Sequence, residues 1–298
     1  MRWNILEIAQ NGRYLKLYRG FLLVMDDKEE LGRVIIDELN SLVLSAEQTT
    51  LSKQIMVKLA EHGIPIVTCG TNYHPISITL PYSVHHQSNK VIHLQIDASQ
   101  PLKKRLWQQL VKTKIFHQFR VLEYCDPGLS AETLQLKRLS DKVRSGDPDN
   151  CEAQASRVYW QSLMGSDFRR RPQSIDIENS ALNYGYTILR AACARAAIAA
   201  GLNPSLGLHH RNINNPFCLA DDLMEIYRPL VDLTIQTMDL EDSLTPDNKA
   251  TLAKILQADV RLNKETTTVN TSMQKLAQSV VQSLESKEVN LQIPELVI

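Results

Sequence analysis

The sequence predicts an α+β protein with two domains, a small β-sandwich-like domain that contains one helix and then a larger all-helical domain. Up to about residue 82, short apolar runs alternate with turn dipeptides such as Asn11-Gly12, which is typical of strands joined by tight turns. After Pro101 the apolar residues recur at helical spacing, which indicates amphipathic helices. The 298 residues also exceed the roughly 250 at which a single core usually stops growing.

Short strands are expected in the N-terminal domain, where β-branched and aromatic residues lie between turn residues. One helix at residues 52–62 has Ile55, Met56 and Leu59 on one face and ends at Gly63, so it is expected to pack against the sheet. The expected strands cover residues 3–8, 14–18, 21–25, 34–36, 42–44, 64–69 and 76–80.

The boundary between the domains is expected in the polar stretch 81–101, which gives a β-domain of residues 1–90 and a helical domain of residues 91–298. One more extended segment is expected at 91–96. Pro229 should kink or end the helix in which it lies, and residues 286–298 are assigned no structure. The expected helices cover residues 102–122, 130–145, 150–164, 177–200, 219–237, 245–258 and 271–284.

Composition excludes several classes of protein. The formal net charge is zero, which argues against a uniformly basic nucleic-acid coat and leaves local patches to be considered. The five cysteines are scattered and form no Cys-x-x-Cys pair, so a zinc or redox motif is not indicated and a reduced, cytoplasmic compartment is expected. No apolar stretch has signal-peptide form or approaches the roughly 18 residues of a spanning helix, so membrane attachment is not expected.

Three separated motifs offer side chains suited to a hard divalent cation. Glu152 follows the cap-forming residues 147–150, His210 ends the turn-rich segment 203–209, and Glu225 lies in the segment 221–229. Two carboxylates and one imidazole, with positions left for water and phosphate oxygens, match what Mg²⁺ or Mn²⁺ accepts at a catalytic site. Such a cation stabilises charge on a phosphoryl group and activates a hydroxyl, so the pattern indicates phosphodiester chemistry.

Each motif also has a purely structural explanation. A glutamate in the first turn of a helix, such as Glu152, stabilises the positive end of the helix dipole, and the acids at 221–225 fit the same role. His209 is an alternative to His210 as the ligand. Asp222 projects from nearly the same side of its helix as Glu225 and is a weaker second candidate.

The motifs resemble the integrase family of CRISPR-associated protein 1, in wording closest to the members found beside type II effectors. Residues 152–160 match the family pattern Glu-x-x-x-x-Arg-x-Tyr-Trp, and Gly207 places the histidine of a Gly-x-x-His pattern at His210. Residues 221–229 match Asp-Asp-Leu-Met-Glu-x-x-Arg-Pro, and residues 182–186 match a Leu-Asn-Tyr-x-Tyr helix. The three ligand motifs stand in the family's order along nearly the full length of the chain.

The resemblance implies that Glu152, His210 and Glu225 bind Mg²⁺ or Mn²⁺ in the helical domain. It implies that the 3′-hydroxyl of a captured DNA fragment attacks a phosphodiester at the leader-repeat boundary of a CRISPR array. The implied partners are a second copy of the chain through the β-domain, a dimer of the small CRISPR-associated protein 2, and double-stranded protospacer and repeat DNA. Type II accessory and effector proteins are further candidates.

Basic clusters flank the acidic motifs and are candidates for phosphate contacts. Solvated helix faces explain the lysines and arginines at 103–114 equally well. The run Arg169, Arg170 and Arg171 precedes Pro172 in a polar loop and is the better DNA-binding candidate. The family pattern adds Arg157, and it implies that Tyr159 or Trp160 lines the DNA end or braces the site, with core packing as the alternative.

Two rival functions fit the same residues. A hydrolytic nuclease acting on branched or single-stranded DNA would use the same ligands with water as the nucleophile. A non-catalytic DNA-binding scaffold would use the acids only as helix caps. The other histidines are expected to be structural or surface residues: His74, His85, His86, His93 and His117.

Overall fold

The computed structural model describes residues 4–70, 75–81, 85–172 and 174–298. Residue 3 of the first expected strand and His74 lie outside the described residues. The N-terminal strands are β1 Asn4–Ile8, β2 Arg13–Tyr18, β3 Phe21–Asp26, β4 Glu29–Ile35, β5 Leu39–Leu44, β6 Thr49–Leu51, β7 Ile66–Cys69 and β8 Pro75–Thr79. They form a pair of four-stranded sheets with the orders β4-β3-β2-β6 and β1-β5-β7-β8.

Turn chemistry and one helix explain how the two sheets form. Arg19 and Gly20 both have positive φ, 47° and 84°, as a tight hairpin between β2 and β3 requires. Helix α1, Lys53–Glu61, begins at Ser52, whose side chain accepts a hydrogen bond from the Ile55 amide. Leucines and isoleucines from both sheets and from α1 share one buried core.

The rest of the chain is mostly helical. The other helices surround the helix at residues 177–199, which is buried along most of its length. Single 3₁₀ turns lie at Glu225–Tyr227 and Lys254–Gln257. The helices are α2 Ser88–Asp97, α3 Gln100–Cys125, α4 Ala131–Lys142, α5 Cys151–Met164, α6 Ile177–Ala199, α7 Cys218–Met224, α8 Arg228–Gln236, α9 Pro246–Ala253 and α10 Val269–Ser286. The predicted order of a β-rich region followed by a helical region is confirmed.

The structure differs from the sequence prediction in several places, including strand β6, which was not expected. Residues 91–96, expected to be extended, belong to helix α2. The expected helix 219–237 is divided into α7, a 3₁₀ turn and α8, with Pro229 in the first turn of α8, where a proline lacks no hydrogen bond that the helix needs. A small antiparallel sheet also occurs within the helical region, from β9 Asp259–Leu262, β10 Glu265–Thr268 and β11 Glu295–Leu296.

Buried polar contacts join the β-rich region to the helices. Glu7 on β1 accepts hydrogen bonds from the Tyr184 hydroxyl at 2.8 Å and from Lys249 Nζ at 2.9 Å. Asn40 on β5 donates its amide to Asn270 Oδ1 on α10 at 2.6 Å. None of the helices in the described ranges is long and apolar enough to cross a membrane.

Gly185→Ala should destabilise the fold where α6 packs on α8. A Cβ at this position would lie 2.5 Å from Val231 Cγ1, and the β-branched valine side chain has little freedom to move. Overpacking of this kind costs about 1–3 kcal/mol, which exceeds the gain of about 1 kcal/mol from replacing a helical glycine by alanine. We expect a lower free energy of unfolding in urea.

Gly32→Ala is the control, because a Cβ at Gly32 would meet nothing within 4 Å. A Gly185→Ala variant as stable as the Gly32→Ala variant would contradict the proposed close packing.

Candidate active site

The first candidate ligand, Glu152, is positioned by the cap of α5. The Asp147 carboxylate accepts hydrogen bonds from the backbone amides of Cys151 at 2.8 Å and Glu152 at 2.9 Å. Asn150 has a positive φ of 52° and makes no side-chain cap. Asp147 thus stabilises the first turn of α5 and fixes the backbone from which Glu152 projects.

A buried lysine joins two of the candidate ligands. Lys114 Nζ, from α3, lies 2.6 Å from Glu152 Oε1 and 2.6 Å from Glu225 Oε2. The two carboxylate oxygens are therefore separated by at most twice that distance. The Lys114 side chain is only 9% exposed, so the interpretation of this lysine as belonging to a solvated helix face is wrong.

Glu225 lies in the 3₁₀ turn between α7 and α8 and is 3% exposed. Its Oε1 is 3.1 Å from Arg228 Nη2. Burial by itself would raise the pKa of Glu225, but Arg228 and Lys114 outweigh this effect and hold the pKa below its ordinary value. Glu225 is therefore a charged carboxylate inside the protein.

His117 braces the turn that carries Glu225. Burial lowers the pKa of His117 to about 4, so its ring is neutral at neutral pH. Its Nδ1 lies 2.7 Å from the Ile226 carbonyl oxygen, which requires the proton to be on Nδ1 because a carbonyl only accepts. The expectation that His117 is structural agrees with this contact.

The side chain of His210 is fixed by a hydrogen bond to Asp222. Its Nδ1 lies 2.6 Å from Asp222 Oδ1, and this hydrogen bond is the main reason that the pKa of His210 is raised. Asp222 is fully buried and also accepts the backbone amides of Leu208, His209 and His210. One carboxylate thus fixes both the loop and the orientation of the imidazole.

The two adjacent histidines have different surroundings. The His209 ring stacks on Trp107, with centroids 4.4 Å apart and the planes inclined by 4°. His210 is the one whose charge interacts with Glu225. Of the two histidines, His210 is therefore the one linked electrostatically to Glu225.

A buried network lies behind the carboxylates. The Tyr186 hydroxyl donates a hydrogen bond to Asp232, and Tyr159 from α5 lies beside the same carboxyl. Asp232 is 1% exposed, and burial raises its pKa to about 7 against the partly opposing effect of the tyrosines, Arg228 and Lys114. Tyr159 and Tyr186 therefore brace the site from the core.

The predicted DNA-binding arginines are not equivalent. Arg157, Arg169 and Arg170 line one shallow surface groove with Trp160. Arg157, Arg169 and Arg171 are exposed, whereas Arg170 is half-buried. Arg170 donates hydrogen bonds to Asn179 Oδ1 at 2.8 Å and to Asn183 Oδ1 at 2.7 Å, so Asn183 contributes to the site region through this arginine.

The sequence did not predict that Lys114 lies between the acids. Lys114 continues the apolar row of Leu106 and Leu110 along α3, and a lysine in such a row was the available signal. Within the described residues, no group of three or more His, Cys, Asp or Glu side chains is assembled to enclose a metal ion. Lys114 instead occupies the space between Glu152 and Glu225.

A carboxylate at the start of α5, a second in the 3₁₀ turn before α8, an oriented imidazole and nearby arginines are compatible with a nuclease or integrase acting on phosphodiester bonds. The family profile described as CRISPR associated protein Cas1 matches residues 6–274. The CRISPR-associated endonuclease Cas1 of Neisseria meningitidis serogroup C (strain 8013) is 36% identical over 99% of this chain and 97% of its own length. The chain therefore belongs to the Cas1 family of CRISPR-associated endonucleases.

Solved structures share this fold. A casposase bound to integration product has a TM-score of 0.78 at 18% identity and is covered over 93% of its chain by 98% of this one. A chain of a Cas6-RT-Cas1–Cas2 complex has a TM-score of 0.78 at 19% identity, with 99% of this chain covering 36% of that one. At 18% and 19% identity, these similarities show a shared fold and do not by themselves show a shared activity.

Gly207→Ala should displace His210. A Cβ at Gly207 would lie 2.4 Å from the His210 carbonyl oxygen and 3.0 Å from Asp222 Oδ2, so the loop must shift. Misplacement of a reacting group by about 1 Å reduces rates by on the order of 100-fold, and we expect a loss of nuclease activity of this size. Nuclease activity and thermal unfolding are measured for this variant and for the control Gly32→Ala. Full activity in the Gly207→Ala variant would show that the close packing of Gly207 against the His210 backbone is unimportant.

Asp232→Asn should change how stability depends on pH. The folded carboxyl has a pKa of about 7, whereas its ordinary value is 3.8. Between these two pH values the carboxyl is protonated in the folded state and ionised in the unfolded state. The free energy of unfolding of the wild type therefore falls as the pH rises towards 7, by on the order of 1.4 kcal/mol per pH unit. We expect the asparagine variant to gain stability relative to wild type across this range.

Urea unfolding at several pH values between 4 and 8 measures this difference. Asp242→Asn, at an exposed position, is the control. A stability difference between Asp232→Asn and wild type that stays constant with pH would contradict the raised pKa.

Proposed function

We propose that this chain is a metal-dependent DNA integrase that inserts new spacer DNA into a CRISPR array. One observation carries the proposal: Glu152 and Glu225, from different regions of the helical domain, both pair with Lys114. His210, oriented by Asp222, interacts electrostatically with Glu225. The name of the Neisseria relative, an endonuclease, and the casposase structure with its integration product support chemistry on DNA phosphodiesters.

Glu152, His210 and Glu225 are the proposed ligands of Mg²⁺ or Mn²⁺. Two carboxylates and an imidazole are donors that these cations accept, and the Lys114 ammonium shows that the site stabilises a positive charge between the carboxylates. A bound ion would stabilise negative charge on the phosphoryl group and favour deprotonation of the attacking hydroxyl.

The surrounding residues position these groups. In the neutral ring of His210, Nδ1–H donates to Asp222, which leaves the lone pair of Nε2 for a ligand. Asp222 already accepts three backbone amides besides this ring. We therefore assign Asp222 to positioning and not to the ligand set.

The proposed reaction is a transesterification. The attacking 3′-oxygen forms a bond to phosphorus, and the bond between that phosphorus and the 3′-oxygen of the target strand breaks. The attacking hydroxyl loses its proton to solvent and the leaving oxygen gains one, so the number of phosphodiester bonds is unchanged and no ATP is needed. The positive charges of Lys114 and Arg228 lie beside Glu225 and would offset charge that develops at the phosphate.

A hydrolytic nuclease is the second candidate, because it would use the same side chains with water as nucleophile. The name of the curated relative, an endonuclease, favours this alternative. A non-catalytic scaffold fits less well, because Glu225 is 3% exposed and ion-paired to two cations, which a simple helix cap does not need.

The proposed assembly is a homodimer formed through the β-domain, which binds a dimer of CRISPR-associated protein 2 and double-stranded DNA. The Cas6-RT-Cas1–Cas2 structure, which has the same fold, supports the small partner. The β-domain exposes apolar side chains that a second copy would cover, including Tyr18 at 47%, Leu31 at 50% and Ile35 at 43%. The proposed DNA contacts are Arg157, Arg169, Arg170 and Arg171.

An in vitro strand-transfer assay tests the proposal. It contains the purified chain, the small partner, a duplex with free 3′-hydroxyls, a plasmid with the cognate repeat, and Mg²⁺ or Mn²⁺. We expect joined product that disappears with EDTA and falls by at least about 100-fold in Glu152→Gln, His210→Asn and Glu225→Gln, because loss of metal-site groups typically costs this much.

Glu132→Gln removes an exposed acid from α4 and should keep wild-type activity. Cutting without joining would favour the nuclease. Intact DNA binding without any chemistry would favour the scaffold and refute the ligand assignment.

A further inference from the structure

A small cavity lies behind Glu225, between α6 and the segment that follows α5. Its volume is about 140 Å³, which exceeds the share of about 30 Å³ that one water occupies in the liquid. Three arginines line it, Arg170, Arg190 and Arg228, together with Asn183, Tyr186 and Thr187. The cavity therefore has room for a small anion and a lining of guanidinium groups.

Two of the three arginines that line the cavity have a carboxylate partner. Arg190 pairs with Asp221 at 2.7 Å, and Arg228 pairs with Glu225 at 3.1 Å. Lys114 lies 2.6 Å from the other oxygen of Glu225 and also pairs with Glu152. Asp232, also near Arg228, has its pKa raised to about 7 by burial and supplies only a partial charge at neutral pH.

Arg170 is the cation with neutral partners. Its guanidinium donates to the side-chain oxygens of Asn179 and Asn183, and no carboxylate in the described stretches of the chain forms an ion pair with it. Burial and the nearby charge of Arg228 lower the pKa of Arg170, against smaller opposing effects of Tyr186, Asp232 and Asp176. Holding two guanidinium groups close together costs free energy, and an anion between them would remove that cost.

The arginines are held in place before any ligand arrives. The guanidinium carbons of Arg170 and Arg228 lie 5.3 Å and 4.8 Å from the centre of the Tyr186 ring. Asn183 is itself fixed, because its amide donates to the Pro172 carbonyl oxygen at 2.8 Å. Arg228 Nε is buried, and among the described residues no acceptor reaches it.

Planar guanidinium groups recognise phosphate through paired, charge-assisted hydrogen bonds. The cavity adjoins the candidate reaction centre through Arg228, which pairs with Glu225. We propose that the cavity lined by Arg170, Arg190 and Arg228 binds one phosphate group of the nucleic-acid backbone, next to the phosphate that reacts. The position of this phosphate in the substrate rests on the proposed function, whereas the anion chemistry of the cavity does not.

The first experiment measures thermal unfolding of the full chain in inorganic phosphate and in chloride of equal ionic strength. Phosphate stabilises proteins in general by exclusion from their surface, so the informative quantity is the difference between variants. We expect a saturable, phosphate-dependent stabilisation in wild type and in Arg261→Gln, and its loss in Arg170→Gln.

Arg261→Gln is the control, because Arg261 is an exposed arginine on β9 that belongs neither to the cavity lining nor to the proposed DNA contacts. Arg170→Lys keeps the charge without the planar fork and should bind phosphate more weakly than wild type by about tenfold. It replaces Arg170→Gln if that variant does not fold. Equal stabilisation of the Arg261 and Arg170 variants would refute the site.

The second experiment tests the origin of the phosphate group. DNA duplexes with a single neutral methylphosphonate at successive positions are bound without divalent metal, so no chemistry is needed and a failure of strand transfer does not affect the result. We expect one position at which the neutral linkage weakens binding by wild type and Arg261→Gln by about tenfold, with no further loss in Arg170→Gln.

If Arg170→Gln remains sensitive at every position where wild type is sensitive, the cavity does not take a backbone phosphate. A saturable response to inorganic phosphate with no such position in DNA would likewise overturn the proposal and identify a site for free phosphate.

Discussion

The buried ammonium of Lys114 is the interaction on which the candidate site depends. It joins α3 to Glu152 at the start of α5 and to Glu225 between α7 and α8. An unpaired charge in such a position is costly, and removing one partner of a buried ion pair typically costs about 3–5 kcal/mol. Two carboxylates can therefore approach each other inside the helical domain only because a cation lies between them. The same arrangement gives the site its affinity for positive charge.

His210 is positioned in a different way, by hydrogen bonds from the backbone of its own loop to Asp222. Asp222 collects three successive amides and the imidazole of His210, so the loop cannot move without losing several hydrogen bonds at once. Gly207 permits this, because a Cβ there would collide with the loop. The physical meaning of the Gly-x-x-His pattern is thus close packing between the glycine and the backbone of its histidine.

Local patterns in the sequence predicted most of the fold and the location of the site. Turn dipeptides and apolar periodicity located the β-domain and all the long helices, because these signals are carried by neighbouring residues. Residues 91–96 alternate like a strand but belong to α2, where Val91 and Gln95 are buried one helical turn apart. The strand β10 is rich in threonine and short, and its pairing with β9 depends on tertiary contacts that no local pattern reports.

At the site, the sequence pointed to the acids and the imidazole, and in the structure Glu152 and Glu225 both pair with Lys114. The sequence could not show that Lys114 lies among them, because Lys114 and Glu225 are brought together only by the packing of α3 against the turn before α8. For the same reason the exposed and half-buried members of the arginine run 169–171 could not be distinguished. Arg170 is half-buried because it contacts Asn179 and Asn183 of α6, and these residues come close to it only when the chain folds.

Arg228 links the two sites, because it pairs with Glu225 and also lines the arginine cavity. A cation that binds Glu225 competes with Arg228 for the same carboxylate, and weakening of that ion pair leaves more of the guanidinium charge for an anion in the cavity. An anion in the cavity would in turn offset part of the Arg228 charge, which lowers the pKa of Glu225, so that this pKa would rise. Linkage requires these effects to be reciprocal. If the proposed phosphate binds in the cavity, Arg228 would couple its capture to the electrostatics of Glu225 through a single side chain, with no need for a conformational change.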